Sequence, residues 1–400
     1  MSEYANLEHD YAKEGYAFCK AQMYPLAIQA FSKAIELSPN DTELYNELGL
    51  AYFHQQDFVQ AKLAFEKALA CGGNSFKSYN NLAWIYHYNQ DNEKALDCFN
   101  EALKLAPLNF DIILNCADFY FSLGQYDEAI DYFLRCLSFN NDDAQIYYKI
   151  SRCYIEKELF NDAIIYLDKA INLNKDEADY YRELSRVYYK KNEMDMAQIN
   201  FEKLLELEPE NEWAYSNLGN IYFYYHENLD IAYEYYKKAY ELNPSYCWAA
   251  YNLANIKMIF KVFDEAIELY SSACELAPSN PIFFNALGNA FEKINDIDKA
   301  IACFDEAIKI DNNCEEAYVS LGKIYLQEKK DYIKAKDCFL KAKALNAKNS
   351  QTYYGLAKVF FFDFDKNNAI INIDAALELE KDNDRYKALR NRIVDELADE

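Results

Sequence analysis

Apolar side chains recur along this chain at helical spacing, and the stripes they form recur in their turn. Alanine stands at Ala27, Ala61, Ala95, Ala129, Ala163, Ala197, Ala232, Ala266, Ala300, Ala335 and Ala369, in steps of 34 residues with two of 35. Four residues after each comes a large apolar side chain, from Phe31 and Phe65 to Tyr236, Tyr270 and Ile373. This spacing predicts one face of a helix. A second stripe precedes it in each period, as in Tyr45, Leu48, Gly49 and Tyr52, or Tyr215, Leu218, Gly219 and Tyr222. Each period therefore holds two helices, with glycine or alanine on the first and alanine on the second permitting close approach. Proline at Pro39, Pro107, Pro209, Pro244 and Pro278 follows the second helix, which it cannot continue.

Composition agrees with an all-α chain. There are 9 Gly and 7 Pro in 400 residues, where average usage would give about 28 and 20. A hydrophobic fraction of 52%, with 37 Tyr and 26 Phe, excludes a disordered chain. The formal net charge of -25 repels nucleic acid and anionic lipid alike, so neither is an expected partner. Eleven cysteines without a CxxC pair read as reduced packing residues, and the scattered His9, His54, His87 and His226 offer no metal spacing. No metal or cofactor is expected. The amino terminus lacks an apolar leader and no run reaches membrane-spanning length, which makes membrane insertion unexpected and the cytoplasm the expected location. No GxSxG, P-loop, HExxH or dinucleotide motif is present, so no catalytic residue is assigned and the chain is not expected to be an enzyme.

The order of these positions, a first-helix L-G-x2-Y followed by A-x3-F-x2-A and a terminal proline, resembles the tetratricopeptide repeat. The resemblance covers eleven units in residues 8–383, after a short lead at 1–7 and before a solvating helix at 384–400 that carries Tyr386, Leu389, Ile393 and Leu397 on one side. It implies a right-handed superhelical α-solenoid of antiparallel helix pairs with a C-terminal capping helix, whose first helices line a concave groove. The seventh and tenth units hold one extra residue between their helices, near Tyr225–Asp230 and Glu328–Ile333, and the eighth carries Ala250 and Lys257 where other units are bulky. A snorkelling lysine is the expectation at Lys257.

Within that register the inner positions hold nine acidic and eleven basic residues, so the acidic excess lies mainly outside. Two inner features stand out. Trp213, Asn217 and Asn220, then Trp248, Tyr251, Asn252 and Asn255, then Asn285 and Asn289, form a run of aromatic anchors and asparagines in the seventh to ninth units. It resembles the asparagine ladder of the peptide-binding superhelix in the sugar transferases that modify serine and threonine; bonding between repeats is the alternative use of these amides. Lys149, Arg152, Arg182 and Arg186 gather in the fifth and sixth units, either as an anion subsite or as partners for Glu156, Asp179 and Glu183. The carboxylate-clamp pattern of chaperone-binding members appears in no three consecutive units. The expected function is a noncatalytic scaffold that holds an extended peptide or partner helix in its groove. A regulatory or targeting subunit of an enzyme supplied in trans, such as a glycosyltransferase, and a peptide-sensing regulator are the alternatives, with the oligomeric state unassigned.

Overall fold

The computed structural model describes residues 2–72 and 75–398. Among them are twenty-three helices and no strand. They divide into two compact units, Met1–Lys191 and Asn192–Glu400. In the first, α1 (Ser2–Lys20) pairs with α2 (Tyr24–Leu37), α3 (Thr42–His54) with α4 (Phe58–Ala70), α5 (Phe76–Tyr88) with α6 (Asn92–Leu105), α7 (Phe110–Ser122) with α8 (Tyr126–Leu137), and α9 (Ala144–Glu156) with α10 (Phe160–Leu173); α11 (Ala178–Lys190) packs on α10. The second opens with α12 (Met194–Leu207) against α13 (Glu212–Tyr224). There α13 pairs with α14 (Leu229–Leu242), α15 (Cys247–Ile259) with α16 (Phe263–Leu276), α17 (Pro281–Lys293) with α18 (Ile297–Ile310), α19 (Glu315–Gln327) with α20 (Tyr332–Leu345), and α21 (Ser350–Phe362) with α22 (Lys366–Leu379). Within each unit every second helix also packs on the next first helix, the arrangement of an α-solenoid.

The sequence stripes are the contacts that hold each pair. All eleven periodic alanines are fully buried. Where the first helix carries glycine, that glycine lies under the aromatic of its partner: a Cβ on Gly49 would stand 2.5 Å from the Phe65 ring, one on Gly219 2.5 Å from Tyr236, and one on Gly288 2.7 Å from Phe304. The helices approach because the side chain is missing. The turn inside each pair closes through a left-handed residue, and all but one of these in regular turns are not glycine; Gln56, for instance, has φ 65° while Asp57 N–H donates 3.0 Å to the Tyr52 carbonyl. The extra residue of the seventh and tenth repeats widens this bond by one position, to Asn228 N–H on Tyr222 O and Asp331 N–H on Tyr325 O, each at 2.8 Å.

Two further sequence readings have clear structural outcomes. Lys257 packs its stem as expected, but its ammonium ends on Glu265 at 2.7 Å and above the Tyr233 ring at 5.2 Å, so the head is paired as well as near solvent. The final helix, α23 (Asp384–Ala398), lies on α22 and buries Tyr386 and Ile393 against Ala369, Ile373 and Ala376, with Leu389 partly buried beside them.

Candidate functional site

Helices α13, α15 and α17 carry the aromatic and asparagine run, all within the second unit. Asn211 and Asn280 cap α13 and α17 by accepting from the Ala214 and Ile282 N–H groups, at 2.9 and 3.1 Å. Both tryptophans fall in a first turn. Trp213 is half-buried, its ring edge-on to Phe201 with centroids 5.3 Å apart. Trp248 meets Phe283 at 4.9 Å and Tyr251 at 5.6 Å, both edge-on, yet keeps 38% of its surface exposed. Tyr224, Ile259 and Ile282 on the same three helices are also exposed.

The six asparagines divide by what they bond. Asn220 and Asn255 accept from the hydroxyls of Tyr236, at 2.8 Å, and Tyr270, at 2.6 Å. Those tyrosines occupy the buried position that is phenylalanine in most repeats, so each hydroxyl needs an acceptor from the paired helix. Burial pushes the Tyr270 phenol well up, keeping it a donor. Asn252 Nδ2 donates to Asn220 Oδ1 at 3.3 Å and Ser216 Oγ at 3.4 Å, tying α15 to α13. Asn217 Nδ2 bonds the Trp213 carbonyl at 2.8 Å within its own helix, and Asn289 Oδ1 accepts from Ser320 at 3.5 Å. Asn285 Oδ1 is buried without a donor. Bonding inside the fold thus accounts for much of the ladder, while the Nδ2 donors of Asn220, Asn255, Asn285 and Asn289 have no partner among the described residues. A tyrosine in place of phenylalanine at 236 and 270 is the sequence signal for the two acceptors, and the sequence reading passed over it.

The basic cluster lies on α9 and α11 of the first unit. Lys149 Nζ donates to both oxygens of Asp118 on α7, at 2.6 and 2.7 Å. Arg182 pairs with Asp179, and Arg186 with Glu183 at 2.6 Å. Arg152 stacks 5.0 Å above the Phe121 ring and meets no carboxylate among the described residues, Glu156 included. Arg152, Lys149, Asp118, Phe121 and Phe133 line a pocket of only about 50 Å³. The Tyr148 phenol beside them titrates high because it is buried and faces Glu183, with Arg152, Arg182 and Arg186 opposing that shift. Asp118, the partner of Lys149, is one repeat away and was not among the carboxylates weighed from the sequence.

All eleven cysteines are unpaired, and burial pushes the thiols of Cys116, Cys153 and Cys274 up to about 12, so they stay protonated at neutral pH. Among the described residues no group of three or more His, Cys, Asp or Glu gathers to hold a metal, and no helix is long and apolar enough to cross a membrane.

Comparison with known proteins adds three findings. Family profiles described as TPR repeat match residues 15–56 and 263–295, and others described as tetratricopeptide repeat match 76–109 and 281–314, 124–187, and 178–211, 214–246 and 315–349. Tetratricopeptide repeat protein 12 of Mus musculus is 34% identical over 86 residues, 22% of this chain and 12% of that protein; small glutamine-rich tetratricopeptide repeat-containing protein 2 of Mycosarcoma maydis is 33% identical over 100 residues, 25% of this chain and 28% of that protein. The alignments thus span under a third of either relative. The crystal structure of the APC/C hetero-tetramer Cut9–Hcn1 superposes with a TM-score of 0.52 at 14% identity, covering 96% of both chains, a likeness of fold.

Proposed function

This chain belongs to the tetratricopeptide repeat family, and from that premise we propose that it is a noncatalytic scaffold whose second unit holds a peptide segment on α13, α15 and α17. The observation that carries the reading is Trp248, a large aromatic packed edge-on against Phe283 and Tyr251 with over a third of its surface exposed. Tyr224, Ile259 and Ile282 on the same three helices are exposed as well, and the Nδ2 groups of Asn220, Asn255, Asn285 and Asn289 have no partner among the described residues. An aromatic anchor beside amides that can bond a peptide carbonyl is the usual make-up of a recognition hot spot. Eleven unpaired cysteines support a reducing, cytoplasmic setting.

The test is a titration of peptides selected by the full chain from a random display library. Trp248→Ala should weaken them roughly tenfold or more, about 1.4 kcal/mol or above. Trp213→Ala, whose ring is already packed on Phe201, should weaken them less. Undiminished binding by both variants, with helical content retained, refutes the site.

A further inference from the structure

At the carboxyl end of the second unit, α19, α21 and α23 enclose a cleft of about 320 Å³ that the sequence reading did not single out. Gly355, the sixth residue of the last repeat, forms part of its lining. Its hydrogen faces Phe339, and a Cβ there would stand 2.4 Å from the ring. The corresponding residues in the fifth and sixth repeats are Lys149 and Glu183, both with long side chains. Tyr386 of α23 stacks on Tyr354 of α21 with centroids 4.8 Å apart and forms part of the wall.

Three cations line this cleft: Lys323 from α19, Lys358 from α21 and Arg385 from the first turn of α23. Lys323 Nζ donates to Gln351 Oε1 at 2.7 Å, while Lys358 and Arg385 lie over the Tyr354 ring at 5.6 and 6.0 Å. None of the three has a carboxylate within ion-pair distance among the described residues. The one acid on the wall, Glu380, accepts from Ser350 Oγ and from Asn383 Nδ2 at 2.8 Å, and these bonds keep it ionised. The wall therefore carries three positive charges against one committed negative charge, in a chain whose net charge is -25. Burial and the nearby Arg385 both weaken the hold of Lys323 and Lys358 on their protons; Lys293 adds to this at Lys323, with Glu292 and Glu315 opposing. A bound anion would relieve that crowding.

We propose that this cleft binds a doubly charged oxyanion on a partner peptide, best matched by a phosphorylated serine or threonine, with two adjacent carboxylates as the other source of the same chemistry. A phosphomonoester carries about -1.5 to -2 at neutral pH and offers three acceptor oxygens, which fits the local surplus of two positive charges. Charge-assisted bonds from two ammonium groups and a guanidinium are the strong class of hydrogen bond. A long polyanion is a poorer fit, because the acidic surface of the chain repels it beyond the cleft. The site is separate from Trp248 and stands or falls independently of the peptide surface on α13, α15 and α17.

The full chain, with 13C-labelled lysine side chains, is titrated with O-phosphoserine, an aspartyl-aspartate dipeptide, inorganic phosphate and unmodified serine. O-phosphoserine should shift the Lys323 and Lys358 resonances saturably, while serine leaves them unmoved. Arg385→Gln, at an exposed residue, should weaken phosphoserine at least fivefold, and Lys323→Met with Lys358→Met should abolish its binding measured calorimetrically. Lys309→Met, which removes an exposed ammonium paired with Glu306, should leave binding unchanged. Equal response to the dipeptide keeps the site and assigns carboxylates as its source. Absence of any saturable response to all three anions, or an equal loss in Lys309→Met, overturns the proposal. Trp248→Ala should leave the phosphoserine response intact, so failure here is read separately from failure of the tryptophan surface.

Discussion

The molecule has two basic clusters on first helices, and they differ in what surrounds the charge. On α9 and α11, Lys149, Arg182 and Arg186 each face a carboxylate, and two of these pairs are three residues apart on one helix, Asp179 with Arg182 and Glu183 with Arg186. On α19 and α21, Lys323 and Lys358 have no acid three or four residues away on their helices. Neighbours at those spacings decide whether a helical charge is answered locally. The cluster with more arginine is therefore the more neutral one. Counting basic residues on a face finds both, and only the carboxylates in helical register tell them apart.

The contrast is broken most severely at Gly355. Gly355→Lys, which copies the residue at Lys149, would drive a side chain into Phe339 and fill the cleft. Overpacking of a fixed core commonly costs about 1–3 kcal/mol. Urea unfolding should show that loss, and phosphoserine should cease to bind even where the fold survives. Lys149→Ala in the first cluster removes a partly exposed pair with Asp118 without the backbone penalty of glycine, and about 0.2–1 kcal/mol is typical for such a pair. If the two variants are equally stable, space at the sixth position is not what separates the clusters.

Charge can be tested without changing shape. Asp118→Asn and Glu183→Gln together leave Lys149 and Arg186 unanswered beside Arg152, bringing the first cluster closer to the cleft in kind. Affinity for O-phosphoserine at this cluster should rise roughly tenfold, about 1.4 kcal/mol, with a steeper dependence on salt. No gain would mean that the small pocket beside Arg152, rather than neutralisation, limits the first cluster.

Most of the architecture was legible because its signals repeat. A buried alanine at each period and a turn after each first helix follow from residues visible eleven times over. The site residues were legible by type and position but not by bonding. Nothing in the local sequence around Asn220 shows that its amide answers a tyrosine sixteen residues later, or around Lys149 that Asp118 reaches it from the preceding first helix. The cleft was missed for a further reason. Its wall joins residues of the last two repeats to a final helix that matches no full repeat, so no local motif marks it.

The two regions should also respond oppositely to pH. Lys323 and Lys358 titrate below the ordinary lysine value of 10.5, mainly through burial. Folding thus disfavours their charged forms, a penalty present below the folded-state value that fades as pH rises through it toward 10.5. Stabilisation by Lys323→Met, measured as a difference from the parent, should shrink as pH rises toward 10.5. In the first unit Lys157 is raised by its bond to Asp127, so its contribution is present below 10.5 and is lost as pH rises through the folded-state value. Lys157→Met should accordingly show a stability deficit that disappears at high pH. Differences of the same sign in both variants would contradict the assigned environments.

The smallest expected difference lies at the turn closing α7 in the first unit and α21 in the second. Gly124 has φ 73° and donates to the Phe121 carbonyl at 3.0 Å; Phe364 has φ 58° and donates to Phe361 at 3.3 Å. The next residues, Gln125 and Asp365, bond Tyr120 and Phe360 at 3.0 and 2.9 Å, so the backbone motif is the same. Only the first turn has the residue that adopts this conformation without crowding its Cβ. Phe364 is 87% exposed, so its ring gives little packing in return for the strained backbone. Gly124→Ala should destabilise by about 1 kcal/mol, and Phe364→Gly should stabilise by something under ~1 kcal/mol, because relief of the left-handed strain exceeds the added freedom of glycine in the unfolded chain. Phe364→Ala separates backbone from side chain. It removes the exposed ring but keeps a Cβ, so its urea midpoint should stay near that of the parent. A gain from alanine as large as that from glycine would place the cost in the phenyl ring instead of in the turn.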